Sequence, residues 1–218
     1  MSMEKVDLRL KNMEAAARSA AAVLADGGVI LYPTDTLYGL GADAFSDAAV
    51  DTIYTIKGRD PHKPIHAIFS DMEMVEKYAE VTDAARKLAR RFLPGPLTLV
   101  LKKKRHVTGG IARDMETIGI RIPDNQFCIE VARMFGKPFT ATSANVAGMN
   151  TENSVEKIVA QLGTSAHRIA CAFDSGELPV RAPSTVVDVS TGVVRVLRDG
   201  AISGVSLERV LEAGDIPI

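Results

Sequence analysis

Two tripeptides carry side chains suited to binding a small anionic molecule. Residues 57–59 (KGR) offer two cations two positions apart, and such cations suit the oxygens of phosphates and carboxylates. Residues 143–145 (SAN) offer a hydroxyl and an amide at the same spacing, which suit orientation through neutral hydrogen bonds. A pocket built from both tripeptides would bind a small anionic substrate beside a nucleotide.

Further polar side chains follow predicted strands. Residues 32–36 (YPTDT) place two hydroxyls and a carboxylate in a rigid turn, and residues 183–188 (PSTVVD) and 195–198 (RVLR) are of the same type. Thr117 and Arg121 lie two alternations apart on a predicted strand and therefore share one face. Because Arg121 lies within a run of isoleucines, it needs an anionic partner, which is either a ligand or a structural carboxylate.

The elements that must position these residues follow from hydrophobic periodicity, capping residues and breakers. The pattern predicts helices over 13–26, 47–57, 82–92, 125–135, 153–162 and 206–212, and a further short helix that begins at the capping box of residues 70–73. It predicts strands over 29–32, 65–69, 97–101, 117–122, 138–142, 168–173, 184–189 and 193–197. Helices and strands alternate early and strands cluster late, which favours one α/β domain over 1–218 with helices packed on a mixed sheet.

The helix over 47–57 ends at Gly58, so the KGR tripeptide lies where a helix meets a loop. We expect both cations to project from this helix end, and a solvated end is the favoured interpretation for Lys57 and Arg59 taken alone. The run 102–106 (KKKRH) is predicted to be a solvated loop.

Composition and motifs exclude several classes of protein. A net charge of −1 argues against a protein that coats nucleic acid, although a local basic groove remains compatible with it. Ser143 has neither a histidine at a telling distance nor a GxSxG elbow, which excludes a serine hydrolase. The four histidines have no zinc-ligand spacing, so no protein-bound metal is expected, and no P-loop or dinucleotide-binding motif occurs.

The cellular compartment and the oxidation state of the two cysteines are predicted from the distribution of apolar residues. No apolar run reaches the length of a membrane span, and the N-terminal segment lacks the apolar core of a signal peptide, so we expect a cytoplasmic protein with no membrane partner. Cys128 and Cys171 lie in apolar contexts and are predicted to be reduced core residues.

Seven phrases in register resemble the YrdC/TsaC family of threonylcarbamoyl-AMP synthases. They are YPTDTLYGLGADA, the Lys-x-Arg with Lys63-Pro64, PGPLTLVL, TIGIRIP, the Ser-x-Asn of ATSAN, PSTVVD and VLRDGAIS, and the match covers about 15–203. The chain looks like the short, single-domain form of the family. The resemblance implies a twisted mixed sheet around a concave, positively charged cavity. It also implies the conversion of L-threonine, bicarbonate and ATP, carrying Mg²⁺, to threonylcarbamoyl-AMP and diphosphate. A downstream complex would then modify tRNA beside the anticodon.

By position, the resemblance implies a role for eleven residues. Those implied to hold L-threonine are Thr36, Arg121, Ser143 and Ser184. Those implied to face ATP are Arg59, Lys63, Thr117, Asn145, Asn153 and Arg198. The two motifs supply the catalytic set, Lys57, Arg59, Ser143 and Asn145, in which Lys57 is expected to help neutralise the phosphates. The loop after Asn145 departs from the family pattern, which leaves Asn153 the loosest assignment, and the role of His66 stays open.

Three alternatives remain at this stage. The same fold can serve as a module that binds tRNA or double-stranded RNA. A carbamoyl-transfer enzyme like the related HypF domain would need companion domains and zinc-finger cysteines that this sequence lacks. A YciO-like paralogue would have weak synthase activity, against which the intact Lys-x-Arg and Ser-x-Asn motifs argue.

Overall fold

Ten strands form one mixed sheet that carries helices on both faces. The computed structural model describes residues 3–212. Its strands are β1 (Glu4–Asp7), β2 (Val29–Pro33), β3 (Tyr38–Gly41), β4 (His66–Ile68), β5 (Leu97–Lys102), β6 (Thr117–Arg121), β7 (Phe139–Ser143), β8 (Ile169–Asp174), β9 (Thr185–Asp188) and β10 (Arg195–Arg198). Its α-helices are α1 (Met13–Ala25), α2 (Asp47–Lys57), α3 (Met72–Tyr78), α4 (Asp83–Phe92), α5 (Gln126–Phe135), α6 (Val155–Leu162) and α7 (Gly204–Glu212). Short 3-10 helices cover Gly110–Ala112 and Gly163–Arg168.

The strand order is β1-β8-β2-β3-β7-β4-β6-β5-β9-β10. Strand β8 lies parallel to β1 and β2, β4 lies parallel to β6, and β5 lies parallel to β9, whereas the other neighbours are antiparallel. The prediction of a mixed sheet is confirmed. The central strands β3, β7, β4 and β6 bring the YPTDT, SAN and TIGIR segments together, because each of these segments lies on or directly beside one of them.

Separate apolar clusters cover the two faces of the sheet. On one face, α1 and α5 pack their small and aliphatic side chains, such as Ala17 and Val131, against Ile30, Tyr32 and Phe139. On the other face, α2, α3, α4 and α6 cover residues such as Leu40 and Leu99. The helices therefore fix the twisted sheet from both sides and leave its central strand ends to shape a site.

Both cysteines lie in the α1/α5 cluster as free, buried side chains, so their prediction as core residues is confirmed. Burial raises the pKa of the Cys171 thiol to about 12 and raises the pKa of Cys128 as well. A thiol with a raised pKa holds little thiolate at neutral pH and is a poor nucleophile. Among residues 3–212 no helix is both long and apolar enough to cross a membrane.

Candidate active site

A cavity of about 330 Å³ opens where the central strands meet the coil between β8 and β9. Six of the eleven predicted site residues line it, namely Thr36, Arg59, Arg121, Ser143, Ser184 and Arg198. Arg181 lines it as well, which brings the number of lining arginines to four, and the lining includes no carboxylate. The expected concave, positively charged cavity is therefore present. A second cavity of about 350 Å³, beside α4 and Leu93, is lined by none of the predicted residues.

The turn between β2 and β3 is held by the side chain of Thr34. Its hydroxyl oxygen accepts hydrogen bonds from the backbone N–H groups of Thr36 and Leu37, at 3.0 and 3.1 Å, and donates to the carbonyl of Leu37 at 2.7 Å. A hydroxyl that bridges backbone groups two and three residues onward fixes a turn without regular secondary structure. The turn thereby presents Asp35 and Thr36 to the neighbouring strand β6.

Arg121, at the end of β6, has a structural carboxylate as its partner. Its Nη2 donates to Asp35 Oδ1 at 2.5 Å and to Thr36 Oγ1 at 2.8 Å. Both charged side chains are nearly buried, with 10% of Arg121 and 7% of Asp35 exposed. The Nε of Arg121 is buried without a hydrogen-bond partner among residues 3–212. The guanidinium is thus held in one orientation by its Nη2. Its Nη1 is hydrogen-bonded to none of the described residues and is not among the fully buried atoms, so this group can donate to a ligand.

Lys57 is buried, and the expectation of a solvated helix end is wrong for this residue. Only 1% of Lys57 is exposed. Its Nζ donates to the backbone oxygens of Ser143 and Asn145 and to Asn145 Oδ1. These three acceptors use all three N–H donors of an ammonium group. Lys57 therefore holds the Ser-x-Asn segment in place and does not line the cavity. Burial, with a smaller contribution from Arg59, lowers the pKa of Lys57 to about 7.

Asn145 is likewise an internal residue of the site. Its Oδ1 accepts from Lys57 Nζ and, at 2.6 Å, from Ser143 Oγ, while its Nδ2 donates to the carbonyls of Val146 and Met149. Because the Ser143 hydroxyl donates its hydrogen bond to Asn145, the lone pairs of the Ser143 oxygen remain available to accept a hydrogen bond in the cavity. The Ser-x-Asn motif therefore sets the donor and acceptor polarity of the cavity wall.

The opposite wall is organised around Ser184. Arg198 donates to the Ser184 carbonyl through Nε and Nη2, at 3.2 and 2.7 Å, and its Nη2 also lies 3.0 Å from Ser184 Oγ. The Ser184 hydroxyl forms a further hydrogen bond, of 2.9 Å, with that of Thr98 on β5. This network orients the hydroxyl and places the charge of Arg198 on the same wall as Ser184.

Arg59, which follows the end of α2, is a cation that lines the cavity. Gly58, the C-cap of α2, has φ 56°, which is the left-handed conformation expected from the sequence. Arg59 then donates from Nη2 to the Pro64 carbonyl at 3.2 Å, and its Nε is buried without a partner among the described residues. Of the two cations in the KGR tripeptide, the arginine is the one that lines the cavity.

Besides Lys57 and Asn145, three further predicted residues lie outside the cavity lining. Lys63 is exposed on the loop between α2 and β4. Thr117 shares the face of Arg121 but lies at the other end of β6, roughly 13 Å away at the rise of a strand. Asn153 Nδ2 donates to the Leu178 carbonyl at 3.2 Å, which ties the start of α6 to the coil after β8.

His66 and Arg181 line the cavity but are absent from the predicted set. His66 lies on β4 over Gly119 of β6, where a Cβ atom would come within 2.4 Å of the imidazole. Arg181, in the coil between β8 and β9, donates from Nη1 to the Asp35 carbonyl at 2.8 Å and so links the coil to the β2–β3 turn. Period-two alternation from Thr117 and Arg121 would have placed Gly119 on this face, whereas no local pattern marks Arg181.

The chain is similar to known proteins in both sequence and structure. The family model Sua5/YciO/YrdC, described as "Telomere recombination", matches residues 22–200. A putative threonylcarbamoyl-AMP synthase of Methanocaldococcus jannaschii is 36% identical over 177 residues, which is 81% of this chain and 82% of that protein.

Two solved structures extend the likeness to the whole fold. Pyrococcus abyssi Sua5 complexed with L-threonine superposes with a TM-score of 0.86 at 31% identity, and the alignment covers 97% of this chain but 61% of that one, so this chain spans about three fifths of its length. Escherichia coli YciO gives a TM-score of 0.78 at 25% identity, with 92% of this chain and 96% of that chain covered. The match of the family model over most of the sequence, together with these relatives, shows that the chain belongs to the Sua5/YciO/YrdC family.

Proposed function

We propose that this chain is an L-threonylcarbamoyladenylate synthase, a nucleotidyltransferase. In the reaction, L-threonine, bicarbonate and ATP give threonylcarbamoyl-AMP, diphosphate and water. The observation that carries the proposal is one cavity that combines four arginines with oriented hydroxyls and contains no lining carboxylate. Such a cavity suits the anionic groups of this substrate set, which are the threonine carboxylate, bicarbonate and the triphosphate of ATP.

The threonine end of the cavity is assigned to Thr36, Arg121, Ser143 and Ser184. Arg121 is pre-oriented by Asp35 and Thr36, and its Nη1, which has no partner among the described residues, is suited to donate to the threonine carboxylate. The Ser143 hydroxyl donates its hydrogen bond to Asn145, so its oxygen is suited to accept a hydrogen bond from the threonine amine or hydroxyl. Held this way, the amine faces the remainder of the cavity, where the carbamate must form.

The phosphate end is assigned first to Arg59 and Arg198, the two cavity arginines on the α2 loop and β10. Lys63, Thr117, Asn145 and Asn153 belong to the ATP set on the family resemblance alone, and Asn145 and Lys57 contribute by holding Ser143 in place. Within residues 3–212 no cluster of three His, Cys, Asp or Glu side chains fits a metal ion. Mg²⁺ therefore enters this proposal only as part of the nucleotide substrate, bound by its phosphates.

The nucleotidyl transfer needs no protein nucleophile. An oxygen of the threonine carbamate forms a bond to the α-phosphorus of ATP, and the bond from that phosphorus to the bridging oxygen breaks, releasing diphosphate. Negative charge develops on the phosphoryl oxygens and the leaving group in this step, and fixed guanidinium groups stabilise it without reorganisation. Positioning and charge neutralisation carry the catalysis in this account.

The product is a mixed anhydride, a reactive species whose threonylcarbamoyl group must be transferred to an acceptor. We propose that a threonylcarbamoyl-transfer complex receives it and modifies tRNA beside the anticodon, in the cytoplasm. Direct binding of tRNA or double-stranded RNA by this chain is the alternative function, and a YciO-like protein with weak turnover is the other. The intact contacts among Lys57, Ser143 and Asn145 favour the synthase over the YciO-like alternative, and the net charge of −1 weakens the RNA-binding alternative.

Diphosphate release from ATP tests the proposal. We expect release that requires both L-threonine and bicarbonate and that collapses in the Arg59→Ala variant, with Arg18→Ala on the exposed face of α1 as the matched control. Release without dependence on threonine would contradict the proposal. Salt-sensitive binding of RNA without threonine-dependent turnover would instead support the RNA-binding alternative.

A further inference from the structure

His66 lines the cavity near the arginine assigned to threonine and the arginines assigned to the phosphates. It lies on β4, which pairs with β6 on one side and with β7 on the other. Its imidazole rests against the bare backbone of Gly119, since any Cβ there would lie 2.4 Å from the imidazole Cδ2. The side chain lines the cavity together with Arg121 and Arg198. Its place in the fold therefore puts a titratable ring beside the substrates.

The charged groups that face His66 are all cations. They are Arg121 on β6, Arg59 on the loop after α2 and Arg198 on β10, while the adjacent part of β7 contributes only uncharged residues. Burial and then these three arginines lower the pKa of His66 to about 4, so the ring is neutral at physiological pH. Within residues 3–212 neither ring nitrogen is hydrogen-bonded to another residue, which leaves the ring able to accept a proton from a ligand.

Carbamate formation releases one proton inside this cavity. Threonine enters with an ammonium group, and its reaction with bicarbonate yields a carbamate, one water and one proton. The guanidinium groups cannot take that proton, because they are already protonated throughout the working pH range. Lys57 lies outside the cavity lining, with its Nζ directed at three oxygens of the Ser-x-Asn segment, and Asp35 is paired with Arg121. The two lining tyrosines are phenols, which are poor proton acceptors.

We infer that His66 accepts the proton that threonine releases when its amine becomes the carbamate. This inference rests on the proposed synthase function. The nitrogen of threonine bonds to the bicarbonate carbon, and a carbon–oxygen bond of bicarbonate breaks. The departing oxygen leaves as water with the bicarbonate hydrogen and one ammonium proton, while a second ammonium proton moves to the imidazole. Atoms and charge balance, since an ammonium, a bicarbonate and a neutral ring give a carbamate anion, water and an imidazolium.

The surrounding arginines would couple this step to substrate binding. In the free protein they disfavour a positive charge on His66. Once the threonine carboxylate and the triphosphate bind, their negative charges offset those of the guanidinium groups, and the ring becomes more basic. Proton acceptance is then favoured only when both anions are in place.

Kinetics of His66→Gln test the inference, because glutamine keeps polarity and reach but cannot accept a proton at this pH. We expect kcat for diphosphate release to fall about 100-fold or more, with KM for threonine within about threefold of wild type. The acidic limb of the pH profile should disappear, and added imidazole should restore part of the rate to His66→Ala. His167→Gln, at an exposed histidine outside the cavity, serves as the control.

Each other result overturns the inference. An unchanged kcat in His66→Gln, an effect confined to KM, or a retained acidic limb would assign His66 a merely structural or binding role. Failure of the proposed function is recognised separately, because it would show in the wild-type protein as diphosphate release that ignores threonine and bicarbonate.

Discussion

Lys57 and Asn145 are joined by two hydrogen bonds, in which Lys57 Nζ donates to the backbone oxygen and to the Oδ1 of Asn145, each at 2.9 Å. The same ammonium also donates to the Ser143 carbonyl. The Lys-x-Arg and Ser-x-Asn motifs are therefore one structural unit, in which the lysine holds the second motif and the arginine lines the cavity. This division of labour explains why a lysine at the end of α2 is buried.

Removal of the Lys57 ammonium should destabilise the protein and reduce activity together. Lys57→Met keeps an unbranched side chain of similar volume but leaves the buried Asn145 backbone oxygen without its donor. It also removes one of the donors to the Ser143 carbonyl and to Asn145 Oδ1. A buried unsatisfied group costs about 1–3 kcal/mol, and a hydrogen bond to a charged donor contributes further. We expect a fall of at least about 2 kcal/mol in the free energy of unfolding, measured by urea denaturation, and a strong loss of kcat/KM. Lys11→Met, at an exposed lysine, should change neither. A fully stable Lys57→Met protein would show that these bonds do not support the segment.

The buried pair of Asp35 and Arg121 should respond differently to single and double substitution. Asp35→Ala leaves a buried guanidinium without its carboxylate, for which we expect a loss of about 3–5 kcal/mol in unfolding free energy. Combining it with Arg121→Met should restore part of that stability but abolish threonine binding, measured by calorimetry. The exposed pair of Asp51 and Arg113 is the control, since Asp51→Ala should cost about 1 kcal/mol or less. Equal costs at the two sites would contradict the account.

The stability of the protein should fall in mild acid because of His66. Its pKa is lowered to about 4 in the folded protein, against an ordinary value of about 6.5 in the unfolded chain. Between these values the unfolded chain binds more protons, so the contribution is complete above about pH 6.5 and is lost as the pH falls toward 4. Between pH 7.5 and pH 5, wild type should lose up to about 2 kcal/mol more unfolding free energy than His66→Gln. Equal losses in the two proteins would mean that His66 is not held neutral.

Gly119→Ala should damage the site more than the fold. The added Cβ would come within 2.4 Å of the His66 ring, which must move away from β6. We expect a stability cost of about 1–3 kcal/mol from overpacking and a much larger relative loss of turnover. Gly192→Ala is the matched control, because a Cβ there meets nothing within 4 Å. Wild-type turnover in Gly119→Ala would show that the ring position is unimportant.

Local patterns in the sequence predicted most of the elements but not all of them. The helix over 47–57 and its left-handed cap at Gly58 are confirmed, because both depend on neighbouring residues. Strand β1 was missed, since only Val6 of its four residues is buried and its pairing partner β8 lies far along the chain. Strand β3 (YGLG) was also not predicted, because glycines weaken the signal of a strand.

Residue type and position at strand ends pointed to Arg121 and Ser184, and both line the cavity, while their binding roles stay predictions. The expectation of a solvated helix end was wrong for Lys57, whose surroundings are created by a segment 86–88 residues away in sequence. His66 and Arg181 were missed because their places depend on sheet register and on an irregular coil. Long-range packing therefore determined the part of the site that sequence pattern could not supply.

The incorporation of labelled bicarbonate into a nucleotide product tests the central claim most directly. The protein would be incubated with ¹³C-bicarbonate, L-threonine and MgATP, and the products would be separated and their masses determined by mass spectrometry. The account predicts an adenylate that carries both threonine and the labelled carbon, formed together with one diphosphate and only when all three substrates are present. Diphosphate or ADP formed without any labelled threonine adduct would contradict it.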